Sequence, residues 1–182
     1  MTTQDPGPFG PAVDAFDQAV DRAFEPLRNN TLANRVMYTA STLGDWSTIW
    51  HLSGALEAAR RGDAGFAVRL SSVMGVESLL VNQGIKRLFK RVRPRRDDLD
   101  TTHHVRQPLT SSFPSGHASA AMTAAAVLSR GSRLGPLWYA AGIVVACSRI
   151  HVKMHHASDV VAGLATGVIL GRLANRLLSR RS

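Results

Sequence analysis

The chain has little of several residue types, and each scarcity excludes a class of protein. Its 182 residues include 1 cysteine, Cys147, which excludes an internal disulfide framework and a zinc site built on cysteines. Aromatic residues make up only 6% of the chain, so small side chains dominate the apolar stretches and favour closely packed helices. Residues 1–35 contain no apolar stretch after a basic start, so the sequence predicts no signal peptide.

Acidic residues are also scarce relative to basic ones. The chain has 13 Asp and Glu against 22 Lys and Arg, and a formal net charge of +9. This excess suits partners that carry negative charge, namely nucleic acid, anionic lipid headgroups or phosphorylated substrates.

Clean runs of Leu and Ile are missing, yet several apolar stretches approach the ~20 residues needed to cross a bilayer. They are residues 36–58, 64–85, 115–130, 134–150 and 158–175. We expect an integral membrane protein rather than a soluble helical bundle.

Apolar periodicity predicts an all-α fold. Before the apolar stretches, large apolar residues recur at intervals of three and four, which indicates an amphipathic N-terminal helix: Val13, Phe16, Val20, Phe24 and Leu27. The stretches themselves show no strand-like alternation, so we expect a bundle of about five core helices. Their length predicts that these helices are transmembrane. Residues 1–11 are rich in Pro and Gly and are expected to be disordered, whereas 12–182 form one domain.

The order of the connectors predicts which of them meet. If each apolar stretch crosses the bundle once, the connectors 87–113 and 151–157 lie at the same end. The last stretch carries Gly163, Gly167 and Gly171 at intervals of four, a face of small residues that allows close helix contact.

The first cluster of candidate residues lies in KRLFKRVRP, at 86–94. Lys86 and Arg93 are about two helical turns apart, so we expect them on one helix face, and Pro94 ends that helix. A Lys point charge and an Arg fork are a usual pair for holding phosphate oxygens. The other basic residues of the run are expected to bind anionic lipid: Arg87, Lys90, Arg91, Arg95 and Arg96.

The second cluster is Pro114-Ser115-Gly116-His117, at the start of an Ala-rich helix. Ser115 is a favourable N-cap, and the N–H groups of Gly116 and His117 would point outward at the positive end of the helix dipole. Such a helix end is an anion site, and Gly116 lets a ligand approach the backbone. His117 is not needed for capping, so we interpret it as a proton donor beside a bound phosphate.

The third cluster lies in SRIHVKMHHASD, at 148–159, where Arg149, His155 and Asp159 are the informative residues. On a continuous helix Asp159 would reach His155, hold one tautomer of its imidazole and leave the other nitrogen free to attack. Two alternatives remain open: a structural hydrogen bond, or a metal site formed by His151, His155 and Asp159.

Together the three clusters resemble the type 2 phosphatidic acid phosphatase superfamily, which also includes bacterial class A acid phosphatases and vanadium-dependent haloperoxidases. The family pattern is Lys, six residues and Arg-Pro; then Pro-Ser-Gly-His; then Ser-Arg, five residues, His, three residues and Asp. This chain matches it with Lys86, Arg93-Pro94, Pro114 to His117, Ser148-Arg149, His155 and Asp159. The stretch STLGD at 41–45 also resembles membrane members, though more weakly.

The resemblance implies a role for each matched residue, within a single phosphatase domain over 12–182 whose catalytic motifs lie in 86–159. His155 would be the nucleophile that forms a phosphohistidine, and Asp159 would orient it. His117 would protonate the leaving group and later activate water. The phosphoryl oxygens would be held by Lys86, Arg93, Ser115, Gly116 and Arg149. No metal and no cofactor is required.

By the same resemblance the chain would be a multi-pass cell-membrane lipid phosphatase whose site more often faces outward. The expected substrates are polyprenyl diphosphate, phosphatidic acid, phosphatidylglycerol phosphate or a decaprenyl-phosphoryl-pentose phosphate; the bilayer is a partner, and nucleic acid is not. A soluble acid phosphatase with the same site is the first alternative. A non-enzymatic basic membrane protein that binds anionic lipid is the second, although it leaves the two matched histidines unexplained. The family pattern assigns no role to His151, Lys153 or His156.

Overall fold

The computed structural model describes residues 7–95, 108 and 110–179. In these residues the chain forms seven α-helices and no strand: α1 (Pro11–Arg28), α2 (Thr31–Gly44), α3 (Thr48–Arg61), α4 (Ala64–Ser78), α5 (Gly116–Ser129), α6 (Gly135–His151) and α7 (Ala157–Ser179). The central helix is α5, whose side chains from Ala118 to Leu128 are all buried against its neighbours. The predicted all-α bundle is confirmed.

Local sequence signals set several helix boundaries. Gly62 ends α3 in a left-handed conformation, with φ of 65°, which glycine adopts without steric cost. The side chain of Asp63 then accepts a hydrogen bond from the N–H of Phe66 and caps α4. The short turn at 62–63 therefore reverses the chain, so that α3 and α4 pack against each other.

The first apolar stretch forms two helices where we expected one. α2 ends at Gly44, and Trp46 and Ser47 follow with φ of 56° and 58°. Left-handed backbone at two consecutive non-glycine residues interrupts a helix, because the side chains crowd the backbone there. The break lets α2 pack mainly on α6 while α3 packs on α4, and it places Asp45 beside the beginning of α5.

The end of α4 also differs from the expected regular helix. After Ser78 the chain continues through a π-helical turn, Leu79–Gly84, and a 3-10 turn, Ile85–Leu88. Phe89 is extended, with φ of −122° and ψ of 143°. Lys86 thus lies on the last helical turn, whereas Arg93 lies on extended chain beyond it, and the expectation of one shared helix face is wrong.

The glycine face on α7 makes the predicted close contact, and its partner is α5. A Cβ at Gly163 would collide with the carbonyl oxygen of Ser115, and one at Gly171 would lie 2.5 Å from Cβ of Ala126. Because α5 and α7 lie this close, the N–H of Ser115 donates a hydrogen bond of 3.0 Å to the carbonyl of Asp159. The first turns of the two helices are therefore joined.

The N-terminal segment reaches the same end of the bundle. Of residues 1–11, which we expected to be disordered, positions 1–6 lie outside the described residues. Gly7 to Gly10 form a turn before α1, and the ring of Phe9 lies 4.7 Å from that of Phe113. α1 then packs across α6 and α7, in agreement with its amphipathic pattern.

Large apolar side chains cover much of the outer surface of the helices. Examples are Leu52 and Leu56 on α3, Val68 and Val76 on α4, and Ile169 and Leu177 on α7. Two helical stretches are long and apolar enough to cross a bilayer, Ala64–Leu88 with 25 residues and Ala157–Ser179 with 23 residues. Among the described residues, the other expected spans do not reach this length as single helices.

Candidate active site

The three sequence clusters lie together at one end of the bundle, where α4 and α6 end and α5 and α7 begin. The guanidinium of Arg93 donates a hydrogen bond of 2.8 Å to the carbonyl of Met154, which joins the connectors 87–113 and 151–157. A Cβ placed on Gly116 would lie 3.6 Å from Nζ of Lys86, which joins the first two clusters. The predicted meeting of the two connectors is confirmed.

His155 and Asp159 form a buried pair, with exposures of 3% and 0%. Nδ1 of His155 lies 3.6 Å from Oδ2 of Asp159, just beyond hydrogen-bond length. They do not share a continuous helix, because α7 begins at Ala157 and His155 belongs to the preceding turn. That turn bends through Lys153, with φ of 49°, and the N–H of His155 donates to the carbonyl of Arg149 at 3.1 Å.

The other imidazole nitrogen of His155 faces Arg93. Nη1 of Arg93 lies 3.3 Å from Nε2 of His155. A guanidinium can only donate, so Nε2 accepts, and the proton of the neutral ring lies on Nδ1, towards Asp159. Burial lowers the pKa of His155 to about 3, an effect that Asp159 opposes and that Arg149 and Arg93 reinforce. The ring is therefore neutral near pH 7, with a lone pair at Nε2 that is suited to nucleophilic attack.

Three cations converge beside this lone pair. Lys86, Arg93 and Arg149 are buried and close enough for the two arginine charges to act on the lysine. Nη1 of Arg149 donates a short hydrogen bond to Oγ of Ser41, which orients its guanidinium from α2. Buried like charges repel one another, so this cluster favours an anion between them.

The beginning of α5 adds a helix end to the cations. Ser115 is its N-cap, and its Oγ accepts from the N–H of Ala118 at 3.4 Å, as the sequence predicted. Gly116 lies against Asn82 of the π-helical turn, where a Cβ would be 3.2 Å from the Asn82 side-chain oxygen. The partial positive charge at the beginning of α5 therefore lies next to the charge of Lys86.

His117 is paired with an acid that we did not predict as a site residue. Its Nε2 lies 3.0 Å from Oδ1 of Asp45, at the break between α2 and α3. Gly44 allows this approach, since a Cβ there would lie 2.6 Å from Cδ2 of His117. Ser41, Gly44 and Asp45 all belong to STLGD, whose weak resemblance to membrane members was the one available signal.

The residues that the family pattern leaves without a role have structural contacts. Nε2 of His151 lies 2.7 Å from Oδ1 of Asn34, and the ring packs against Phe24 and Tyr38. Nε2 of His156 lies 3.2 Å from the carbonyl of Val92. Nζ of Lys153 lies 4.0 Å from Oδ2 of Asp21.

The alternative of a metal site formed by His151, His155 and Asp159 finds no support in this geometry. In the part of the chain that the structure describes, no group of three or more His, Cys, Asp or Glu side chains is arranged to hold a metal ion.

Arg91 differs most from its prediction. We expected it to bind lipid at the surface, but it is only 6% exposed. It donates hydrogen bonds of 2.6 Å to Oδ1 of Asp159 and of 2.6 Å to Oδ2 of Asp17. The remaining lipid-binding candidates stay predictions, and Arg96 lies outside the described residues.

Two cavities adjoin this end of the bundle. One, of about 450 Å³, is lined by the chain around Arg93: Phe89, Lys90, Arg91, Val92, Arg93, Pro108, Thr110 and Ser111. The other, of about 440 Å³, is an almost entirely apolar groove between α2 and α6: Arg35, Val36, Thr39, Ala40, Leu43, Ile49, Ala141, Val144 and Val145. The groove reaches the site, because a Cβ on Gly44 would lie 3.0 Å from Val145 as well as against His117.

A comparison of sequences identifies known proteins that are similar to this chain. Decaprenylphosphoryl-5-phosphoribose phosphatases from two strains of Mycobacterium tuberculosis are 37% identical to the chain over 91 residues, which is 50% of this chain and 50% of theirs. The matched region thus spans about half the length of these curated relatives.

Two solved structures share the fold. The transmembrane PAP2 type phosphatidylglycerolphosphate phosphatase from Bacillus subtilis has a TM-score of 0.73 at 24% identity, over 94% of this chain and 88% of its own. Aquifex aeolicus LpxE has a TM-score of 0.64 at 26% identity, over 85% of this chain and 93% of its own. Residues 66–182 match the sequence model of the PAP2 superfamily, and the chain belongs to that superfamily.

Proposed function

We propose that this protein is a membrane phosphatase that hydrolyses a phosphomonoester or diphosphate of a lipid through a phosphohistidine on His155. The observation that carries the proposal is the direction of its imidazole. Nε2 faces Arg93 among buried cations, while Nδ1 faces Asp159. A phosphoryl group that displaced the contact with Arg93 would lie in front of the nucleophilic lone pair.

The first step is transfer of the phosphoryl group to the enzyme. Nε2 of His155 attacks phosphorus, the bond from phosphorus to the leaving oxygen breaks, and His117 donates a proton to that oxygen. Asp45 holds the Nε2 side of the His117 ring, so we assign this proton to Nδ1. Asp159 stabilises the positive charge that develops on His155.

The second step restores the enzyme. His117, now neutral, accepts a proton from water as that water attacks phosphorus, and the bond between Nε2 of His155 and phosphorus breaks. Inorganic phosphate leaves, and both histidines return to their starting protonation states. The net reaction consumes the lipid phosphate and one water molecule, and it releases the dephosphorylated lipid and inorganic phosphate.

The charge that develops on the phosphoryl oxygens meets positive groups already in place. Lys86, Arg93 and Arg149 are buried, and the beginning of α5 adds the N–H groups of its first turn. Phosphoryl transfer depends mainly on such positioning and charge. We therefore propose a metal-independent mechanism.

A lipid substrate is supported by what surrounds the site. The apolar groove between α2 and α6 approaches His117 at Val145 and has room for part of an apolar chain. The apolar outer surface and the two helices of spanning length are consistent with a bilayer. We propose that the site lies at the bilayer surface and faces outward. The names of the relatives add decaprenyl and glycerol lipid phosphates as substrate classes to test.

A substrate panel tests the proposal. The full chain in detergent, with EDTA present, would be given a polyprenyl diphosphate, a decaprenyl-phosphoryl-pentose phosphate, phosphatidic acid, phosphatidylglycerol phosphate and a soluble aryl phosphate. We expect phosphate release from at least one lipid at a higher kcat/KM than from the aryl phosphate, with inhibition by vanadate. His155→Gln is expected to remove nearly all turnover, and His51→Gln, the same change at an exposed histidine of α3, is the matched control.

Three results would contradict the proposal. Loss of activity in EDTA with recovery on addition of a divalent ion would refute metal independence. Full activity of His155→Gln would refute the assignment of the nucleophile. A preference for the aryl phosphate, together with solubility of the chain without detergent, would favour the soluble acid phosphatase.

A further inference from the structure

The helix α1 precedes residues 66–182, which match the family. It nevertheless places two charged side chains at the end of the bundle where the candidate site lies. Asp17 is 6% exposed and Arg28 is 9% exposed. Charged residues are rarely buried unless they are paired, so their partners indicate what the helix does.

Asp17 binds the beginning of α7. Its Oδ1 accepts the N–H of Ser158 at 2.7 Å, and its Oδ2 accepts the hydroxyl of Ser158 at 2.8 Å. Ser158 is the residue immediately before Asp159. Asp17 therefore holds the first turn of α7 from outside, at the point where that helix presents Asp159 to His155.

Arg91 connects the two carboxylates. Its Nη2 donates to Oδ2 of Asp17 at 2.6 Å, and its Nη1 donates to Oδ1 of Asp159 at 2.6 Å and to Oγ of Ser158 at 2.7 Å. Oδ2, the other oxygen of Asp159, faces Nδ1 of His155. A continuous chain of contacts thus leads from α1 to the imidazole.

The charges of Asp17, Arg91 and Asp159 do not cancel. Two carboxylates share one guanidinium, so the group Asp17–Arg91–Asp159 carries one net negative charge. Without Asp17, Arg91 would pair with Asp159 alone and neutralise it. With Asp17, part of the Arg91 charge is directed away, and Asp159 keeps negative charge for the ring beside it.

Arg28 holds the other side of the nucleophile turn. Its Nε donates to the carbonyl of His151 at 3.0 Å, and its Nη2 donates to the carbonyl of Ile150 at 3.1 Å. These carbonyls end α6, immediately after Arg149. α1 therefore contacts both ends of the turn that carries His155.

We propose that α1 is part of the catalytic apparatus and that Asp17 is a positioning residue, which acts through Arg91 to orient Asp159 and keep it negatively charged. This inference rests on the proposed phosphohistidine chemistry of His155. Asp17 itself touches neither substrate nor the reacting atoms.

The test compares two charge-neutral variants of the same helix in the full chain. Asp17→Asn keeps the size and an oxygen for the N–H of Ser158 but removes the charge. Asp14→Asn is the control, because the Asp14 carboxylate accepts the N–H of Gly7 at 2.8 Å, whereas the carboxylates that accept from Arg91 are those of Asp17 and Asp159. We expect kcat for Asp17→Asn to fall by about tenfold with KM within about twofold, and Asp14→Asn to stay within about twofold in both.

A double-mutant cycle separates this role from general destabilisation. If Asp17 acts through Arg91, then adding Asp17→Asn to a protein that already carries Arg91→Gln lowers kcat little further. Equal losses in both backgrounds would overturn the proposal. Arg91→Lys is the second variant, since an ammonium keeps the charge but lacks the planar fork that bridges two carboxylates. We expect its kcat to fall as much as that of Asp17→Asn. A wild-type kcat in Arg91→Lys would also overturn the proposal.

A readout without substrate distinguishes failure of this inference from failure of the proposed function. ¹⁵N spectra of histidine-labelled protein in detergent report which nitrogen of His155 carries the proton, with His155→Gln to identify its signals. We expect the Nδ1–H form in the wild type and in Asp14→Asn, and a mixture of tautomers in Asp17→Asn. Unchanged His155 signals in Asp17→Asn would refute the inference, whereas a wild type that hydrolyses no phosphate would refute the function alone.

Discussion

A single methyl group at Gly44 is expected to disable the proposed acid–base histidine. Gly44 is the last residue of α2, directly before Asp45. In Gly44→Ala the new Cβ would lie 2.6 Å from Cδ2 of His117 and 3.0 Å from Cγ1 of Val145. The methyl group would therefore overlap the imidazole on one side and crowd Val145 on the other, and the imidazole must move.

The size of the effect follows from these distances. A separation of 2.6 Å falls about 0.8 Å short of the 3.4 Å at which ordinary van der Waals contact begins. We expect a shift of the His117 ring by that amount, away from the new methyl group, to lengthen its contact of 3.0 Å with Asp45 beyond hydrogen-bond range. A displacement near 1 Å at a catalytic group costs on the order of 100-fold in rate, so we expect kcat/KM to fall by about 10- to 100-fold.

The assay is phosphate release from the best lipid substrate in detergent, with Gly75→Ala as the matched control. Gly75 lies inside α4, and a Cβ there meets no atom within 4 Å. This control makes the same chemical change in a helix, where alanine is favoured by about 1 kcal/mol over glycine. We expect it to keep wild-type kcat/KM.

Vanadate inhibition separates displacement of His117 from loss of the phosphate site. If the cations and the beginning of α5 are intact, the inhibition constant for vanadate in Gly44→Ala stays within about threefold of the wild type while kcat/KM falls. Wild-type kcat/KM in Gly44→Ala would refute the reasoning. It would mean either that the His117 ring can shift without slowing the reaction or that His117 takes no part in it.

Two further predictions concern the histidines. Asp45→Asn is expected to lower kcat/KM about tenfold for a lipid alkyl phosphate but by less than about threefold for an aryl phosphate, whose leaving group needs no proton; equal losses would contradict the pairing of Asp45 with a general acid. Because the pKa of His155 is lowered to about 3, its ring is neutral above that pH, and ¹⁵N spectra at pH 5 are expected to show a neutral imidazole with a proton on one nitrogen only. A His155 ring that titrates near its ordinary value of about 6.5 would refute the burial argument.

Much of the fold was predictable because its signals are local. Amphipathic spacing identified α1, and the intervals of four between Gly163, Gly167 and Gly171 identified the close face of α7. The cap at Ser115 depends on a side chain and an N–H three residues apart, so it too is visible in a short window. Alternation of long and short connectors was enough to bring the clusters to one end.

Regular helices were assumed where the chain is irregular, and there prediction failed. The break at Trp46 and Ser47 has no proline, and Gly44 alone did not indicate it. The helix after α4 ends at Leu88, so Arg93 reaches the site on extended chain. In both places packing against other helices outweighs the local preference, and that packing cannot be read from a window of sequence.

The sequence by itself determined an all-α bundle and the chemical groups at one of its ends, because helix periodicity and motif spacing are properties of neighbouring residues. Only the tertiary structure decided which charges are buried and which partner each one has. Arg91 looks like one more residue of a basic run, yet it lies between Asp17 and Asp159, and the contact from Asp17 to Ser158 spans 141 positions. The free energy of a charge depends on its burial and on the nearest opposite charge, and both are set by how distant segments pack.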